Sequence, residues 1–323
     1  MKKIVALLLA LLLLTGCTPA NTEDPTGSPS TTQSTELTTE PTTEPSTGSA
    51  TTPSDESALQ SGLTVHFLDV QHADCIFLSC DGEYALVDAA YPETGDRIVT
   101  YLQEQGVKEL DLVVGTHPHG DHIGGLPKVL DAFPTDTVWT SQLPYTNDYV
   151  SNFTGAVQRN GADFVQPRPG EHFQLGSATI DVIGPLNLLY ADANDLSLVL
   201  RVTYGNTRFL LTGDMEEVAE RELVEAGVDL KADVLKVGHH GSASSTSYRF
   251  LRAVAPTYGV ISLAAFNEYG HPHPDPLSRL MDADVTIYRT DKMYDIVAYS
   301  DGETVTFTTG NPYAEPWRPG DPR

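Results

Sequence analysis

Along residues 63–309 short apolar runs alternate with polar stretches, and the period of the alternation changes in an ordered way. LTVHFLDV (63–70), DCIFLSC (74–80) and EYALVDA (83–89) have strand length and strand composition, and Asp81-Gly82 between the last two is a hairpin turn signal. GDRIVTYLQEQGV (95–107) switches to helical spacing through Ile98, Leu102 and Val107, with Gly106 near its end. ELDLVVGT (109–116) is a buried strand, IGGLPKVLDAF (123–133) a helix start and TVWTS (137–141) a short strand. The rhythm then repeats. HFQLGSATIDVIGP (172–185) is a hairpin, SLVLRVTYGNTRFLLTGD (197–214) holds two strands, and MEEVAERELVEAG (215–227) is a helix. ADVLKVGHHGS (232–242) is a strand running into a histidine pair, and TSYRFLRAVAP (246–256) is helical. YGVISLA (258–264), VTIYRTD (285–291) and MYDIVAYSDGETVTFTT (293–309) close the sheet. Two comparable halves of interleaved strands and helices predict an α/β fold with two sheets sandwiched between helices.

The ends read differently. MKKIVALLLALLLLTGC places two lysines before an apolar run (4–14) too short to span a bilayer, which is the pattern of a secretory signal. Its end, Leu14-Thr15-Gly16-Cys17, resembles a bacterial lipobox, which implies lipidation of Cys17 and cleavage before it. The expected mature protein is a lipoprotein on the extracellular face of the cell membrane, attached by lipid alone. Residues 18–62 are almost all Thr, Ser, Pro, Glu, Gly and Ala, with Leu37 and Leu59 the only large apolar residues, so the segment is expected to be an extended, disordered tether. The last segment, 310–323, is too rich in proline to continue a sheet or helix.

Formal net charge is −25, and the part after the tether stays strongly acidic once the seven tether acids and the two leader lysines are set aside. Such a surface repels polyanions, so no stable nucleic-acid complex is expected. Besides Cys17 the only cysteines are Cys75 and Cys80. On one strand they would lie about 17 Å apart on opposite faces, beyond disulfide reach, and both read as buried small hydrophobes.

Three of the ten histidines fall within GTHPHGDHIGG (115–125). Pro118 favours extended backbone at His117, so His117 and His119 point the same way and both rings can grip one ion. Gly120 permits a sharp turn that presents Asp121 and His122 from another direction, towards a second ion. Imidazole with carboxylate suits zinc or manganese.

H-x-H-x-D-H after a buried strand resembles the signature of the metallo-β-lactamase fold, a superfamily of mostly metal-dependent hydrolases built as an αβ/βα four-layer sandwich. FLDVQHADCIFL, THPHGDHIGGL, NDLSLVLRVTYGNTRFLLTGD, DVLKVGHHGS and YGHPHP resemble, more narrowly, the hydrolase domain of ComEC-type DNA-uptake proteins, and are also similar to phosphorylcholine esterases of that fold. The resemblance covers nearly all of 63–309. It implies His117 and His119 as ligands of one metal, Asp121 and His122 of the other, and Asp214 as the bridging carboxylate. One histidine of GHHGS should complete the site, His240 as ligand with His239 as alternative ligand or proton donor. His271 is placed at the mouth of the site as late ligand, phosphate contact or general acid, with His273 beside it. Asp121, His239 and His271 are thus the candidate catalytic residues, and Asn194, Ser197 and His273 the candidate substrate contacts. Relatives often carry Gly-Gln-Gly-Asp where this chain has Gln71, His72, Ala73 and Asp74, so no role is assigned to His72. Lys236 either approaches an anionic substrate or covers the sheet edge.

β-Lactamases, thioesterases and lactonases of the superfamily supply a further histidine between the cluster and the bridging aspartate. Here that interval holds only His172, expected to face solvent. Its lack disfavours carboxylic ester, lactone or lactam substrates. The resulting expectation is a surface-anchored hydrolase with two divalent ions, zinc or manganese, acting on a phosphodiester of nucleic acid or of the cell envelope. A non-enzymatic, metal-bearing binding protein is the alternative from another class.

Overall fold

The computed structural model describes residues 62–321; Cys17, the leader and nearly all of the tether lie outside them. The first half supplies β1 (Leu63–Phe67), β2 (Ile76–Cys80), β3 (Glu83–Val87), β4 (Leu110–Gly115), β5 (Thr135–Thr140) and β6 (Asp163–Val165). Its helices are α1 (Gly95–Glu104), α2 (Gly120–Ile123), α3 (Leu126–Ala132) and α4 (Asp148–Asn160). The second half supplies β7 (His172–Leu175), β8 (Ala178–Gly184), β9 (Val199–Tyr204), β10 (Thr207–Leu211), β11 (Val234–Lys236), β12 (Tyr258–Ile261) and β13 (Thr286–Arg289). With them come α5 (Glu217–Glu225), α6 (Tyr248–Val254), α7 (Pro274–Asp282) and α8 (Thr290–Met293), followed by β14 (Ile296–Ser300) and β15 (Val305–Thr309).

Two mixed sheets form, ordered β15-β14-β1-β2-β3-β4-β5-β6 and β13-β12-β11-β10-β9-β8-β7. The alternation in the strands explains their stacking, because successive side chains point to opposite faces. Val65, Leu78 and Val114 of one sheet meet Ile180, Leu200 and Phe209 of the other in a central core. Phe77, Leu86 and Val113 face the other way, onto Ile98, Leu102, Leu126 and Phe153 of the first-half helices. Leu210 and Leu235 likewise pack on Leu223, Phe250 and Leu280. The layers are helix, sheet, sheet, helix, the α/β sandwich of the metallo-β-lactamase type. Cys75 and Cys80 are buried, unbonded, and divided between the helix-side and central cores.

Three features differ from the sequence expectation. The last strands do not close the second sheet: β14 crosses back and pairs antiparallel with β1. Helices α4 and α7 fall outside the expected elements; α4 buries Val150, Phe153, Ala156 and Val157 at helical spacing, and Asn147 starts it by accepting the Val150 amide at 2.9 Å. The proline-rich end also finds a partner, since Trp317 exchanges two backbone hydrogen bonds with Ile287 (2.8 and 3.1 Å) and covers the outer edge of β13. Among the described residues no helix is long and apolar enough to cross a membrane.

Candidate metal centre

Strands β3, β4 and β5 run parallel, as do β10, β11, β12 and β13, so the carboxyl ends of both sets supply the loops that carry chemistry. Asp88 follows β3, His117 to His122 follow β4, Asp214 follows β10, and His239 and His240 follow β11. The turn after β4 fits tightly, because a Cβ at Gly125 would collide with the Ala89 carbonyl and one at Gly124 with the Gly120 carbonyl. Those two glycines let Gly125 donate to the Ala90 carbonyl at 2.9 Å and seat the cluster on the end of β3.

One ligand set converges. Asp121, His122, Asp214 and His240 each offer an atom within 4.8 Å of the others, and the last three are buried. His122 Nε2 lies 3.3 Å from Asp214 Oδ2; His240 Nε2 lies 3.6 Å from Asp214 Oδ1 and 3.6 Å from Asp121 Oδ2. His122 Nε2, His240 Nε2 and Asp214 Oδ1 are buried without hydrogen-bond partners among the described residues. Orphaned buried polar atoms facing one point are what a cation satisfies, so the residues present fit a metal ion. Beside them His117 Nε2 and His119 Nδ1 approach to 3.0 Å, and the His117 ring lies 4.1 Å from that of His122.

The ligands are held from behind. Asp88, fully buried, places Oδ2 2.7 Å from His122 Nδ1 and accepts from the Thr116 amide (2.8 Å) and hydroxyl (2.7 Å). A proton on His122 Nδ1 then leaves Nε2 as a lone pair aimed into the site. His240 Nδ1 donates to the Ser262 carbonyl at 2.9 Å with the same consequence. Both His239 (φ 47°) and His240 (φ 52°) occupy the left-handed region, which costs backbone energy in a non-glycine residue and turns consecutive rings to different targets. His239 Nδ1 meets Glu216 Oε1 at 3.0 Å, while Ser244 Oγ donates to the same oxygen at 2.6 Å.

Charge balance in this cluster is local. Burial opposes a charged His122, yet Asp214, Asp88 and Asp121 outweigh it and hold its pKa well above the usual value. Burial likewise opposes ionised Asp214, and His240, His122 and His239 reverse that, keeping the carboxyl well below its usual range. His239 is raised: burial works against it, but Asp214 and Glu216 prevail. His271 behaves oppositely, pushed down to about 3 by burial and by His72, His239 and His240. Cations displacing protons from such a cluster make metal affinity pH-dependent.

A cleft of about 370 Å³ opens over the site, lined by His72, His119, Asp121, Asn194, Asp214, His239, His240 and His271 together with Tyr91, Tyr149 and Tyr269. Among the described residues no lysine or arginine lines it. Asn194 lines this cleft. Ser197, expected at the substrate, is fully buried; its Oγ accepts the Asp214 amide (3.1 Å) and lies 3.3 Å from His117 Nδ1. It positions ligands from below. His273 also stays out of the cleft, with Nδ1 accepting the Ala243 amide at 2.9 Å and its ring 4.8 Å from His271. Lys236 neither reaches a substrate nor covers an edge, since β11 is an inner strand. It is fully buried, 2.8 Å from Asp74 Oδ2, and donates to the Val237 carbonyl. His172 is exposed on the edge strand β7.

Sequence reasoning passed over Asp88, Glu216 and His72. Asp88 had a signal, an acid ending the buried run EYALV just as Asp214 ends FLLTG. Glu216 had none, being one of 44 acids and 23 residues from its histidine.

The Metallo-beta-lactamase superfamily model matches residues 68–265. ComE operon protein 3 of Bacillus subtilis is 30% identical over 216 residues, which cover 67% of this chain and 28% of that protein. Competence protein ComA of Neisseria gonorrhoeae is 34% identical over 203 residues, covering 62% and 27%. The chain therefore spans little more than a quarter of the length of these relatives. Among solved structures, the metallo-beta-lactamase fold protein YhfI from Bacillus subtilis superposes with a TM-score of 0.52 at 12% identity, over 74% of this chain and all of that one. On fold, site and family match together, the chain belongs to the metallo-β-lactamase superfamily.

Proposed function

We propose that this hydrolase-fold domain is a two-metal phosphodiesterase, displayed on the cell surface by lipid at Cys17, that cleaves a phosphodiester in a nucleic-acid fragment or a cell-envelope polymer. The observation that carries it is the pairing of a converging four-ligand set with an adjoining histidine pair, of which His119 lines the cleft. Asp121, His122 and His240 would hold one ion, His117 and His119 the other, with Asp214 between them. When bound, such a pair lowers the pKa of water and neutralises charge developing at phosphorus.

The chain's own groups supply the rest. Asn194, with its Oδ1 buried and without a hydrogen-bond partner among the described residues, offers an acceptor to the attacking water or to the alcohol of the substrate. His239, held by Glu216 and inclined to stay protonated, is the proton donor to a departing alkoxide. His271, kept neutral, serves as a hydrogen-bond donor instead of an acid. Three tyrosines and, among the described residues, no lysine or arginine line the walls, which suits a single phosphodiester with an uncharged or cationic flank and disfavours a long polyanion. The exposed His172, far along an edge strand, cannot replace the extra ligand that carboxylic-substrate relatives are expected to use.

Hydrolysis of bis(p-nitrophenyl) phosphate by the full chain, loaded with zinc or manganese, tests the proposal against an Asp121→Ala control. Metal-dependent turnover absent from the control is the expected result. A folded, metal-filled protein inert with both ions would instead point to a surface binding protein.

A further inference from the structure

We propose that His72 is a positioning residue that fixes the tautomer of His271, so that His271 presents its Nε2–H to the substrate. His72 Nε2 lies 3.2 Å from His271 Nδ1, and one of these nitrogens must carry the shared proton. The burial of the other His72 nitrogen decides which. His72 Nδ1 is buried and has no hydrogen-bond partner among the described residues. A proton there would be an orphaned N–H, a rarer and costlier state than an unpaired acceptor lone pair. The proton therefore sits on His72 Nε2, which donates to His271 Nδ1. His271 then carries its own proton on Nε2, the nitrogen His72 leaves free, in a ring that lines the cleft beside His239 (5.6 Å between rings).

The surroundings hold this arrangement rigid. Tyr269 stacks on both rings, at 5.1 Å and 19° to His72 and at 5.6 Å and 25° to His271. On its other side His72 leans on the ligand His240, 4.7 Å away. Asn267 Oδ1 accepts the His271 amide at 2.8 Å, and its Nδ2 donates to the His271 carbonyl at 2.8 Å. A donor held this way needs no reorganisation when charge develops on a phosphoryl oxygen.

The functional part of the inference rests on the phosphodiesterase reading; the tautomer does not. Two variants of the full chain separate donation from packing. His72→Phe keeps a ring for stacking but cannot donate, whereas His72→Gln keeps an N–H for His271 Nδ1. Long-range ¹H–¹⁵N spectra of the metal-free proteins, assigned with His271→Gln, should show His271 protonated on Nε2 in the parent and in His72→Gln, and a tautomer mixture in His72→Phe. With bis(p-nitrophenyl) phosphate, kcat should fall roughly 10- to 100-fold in His72→Phe, less than the roughly 10²- to 10³-fold for outright loss of one preorganised donor because a tautomer mixture retains part of it, with KM nearly constant. His72→Gln should stay close to the parent. A parent His271 protonated on Nδ1 would overturn the inference, as would equal damage in both variants or loss of a bound ion in both, which would make His72 a ligand. An inactive parent would sink the phosphodiesterase reading and leave the tautomer spectra to decide this one.

Discussion

The ligand set around Asp214 and the histidine pair beside it are neighbours built to different rules. In the first, His122 is backed by Asp88, His240 by the Ser262 carbonyl, and the Asp214 amide by Ser197. In the second, His117 Nδ1 has, among the described residues, the hydroxyls of Thr116 (3.2 Å) and Ser197 (3.3 Å) as hydrogen-bond partners. His119 has no side-chain hydrogen bond among the described residues besides its contact with His117, and it lines the cleft. Asp121, Asp214 and His240 line the cleft together with His119, so the two sets differ in support and not in access: the better-supported set is built to retain an ion, and a two-histidine set leaves positions that water and substrate can occupy. On the proposed two-metal reading, the four-ligand set holds its ion and the histidine pair carries the reaction.

The largest expected effect comes from removing what the halves share. Asp214→Ala should strip metal from both and lower turnover by roughly 10³-fold or more, matching the several kcal/mol a metal site contributes to transition-state charge. His119→Ala should keep one ion, in the four-ligand set, while also losing most turnover. Metal content after desalting, read beside kcat, checks both. Equal metal loss in the two variants would break the contrast, because the histidine pair would then be as necessary for binding as the four-ligand set.

How much of this was legible in the sequence follows the same division. The strands announce themselves through period-2 patterning, because each faces a core on one or both sides, and the ligands announce themselves because histidine is scarce and clustered. The β14 crossover left no local trace: which sheet a strand joins is settled by long-range pairing, here Leu63 to Ser300 through Phe67 to Ile296. Helix α7 begins in HPHPDP, where prolines mask a helix start that proline at the first turn in fact favours. The supporting groups were hidden for a different reason. Ser197 and Lys236 were read as possible substrate contacts because polar residues near a site suggest ligand binding, yet both are buried and spend their hydrogen bonds on the scaffold. His72 was passed over because its neighbours in sequence say nothing of His271, 199 residues away.

A smaller effect sharpens the contrast. Asp88 touches no position open to substrate, so Asp88→Ala should weaken metal binding roughly 10- to 100-fold, the usual cost of losing the carboxylate behind a ligand histidine. Glu216→Gln, behind His239, which lies outside the converging set, should leave metal affinity near that of the parent and lower turnover instead. Competition with a chromogenic chelator, run beside kinetics, separates them. A Glu216→Gln protein that loses metal as readily as Asp88→Ala would make His239 the ligand and His240 its support.

The smallest effect concerns stability of the segment that carries the second-sheet ligands onward. After His240 the chain runs through 242–247 before entering α6, and Glu220 of α5 anchors it by accepting the amides of Thr246 and Ser247. Arg279 donates to the carbonyls of Ser245 and Thr246 from the other side. Burial pushes Glu220 up to about 7 from an ordinary value of 4.5. The folded state thus binds this proton more tightly than the unfolded chain, so Glu220 costs stability as pH rises from about 4.5 through 7, by at most roughly 3 kcal/mol. The histidines with raised pKa values lose their stabilising charge only as pH rises above about 6.5, and they do so equally in a Glu220→Gln protein, where an amide oxygen still accepts. Urea unfolding of metal-free parent and Glu220→Gln at pH 5 and pH 8 should therefore show the variant gaining on the parent at the higher pH. A stability difference that stays constant between the two would mean that Glu220 does not change its charge there and that the anchor of this strap is pH-independent.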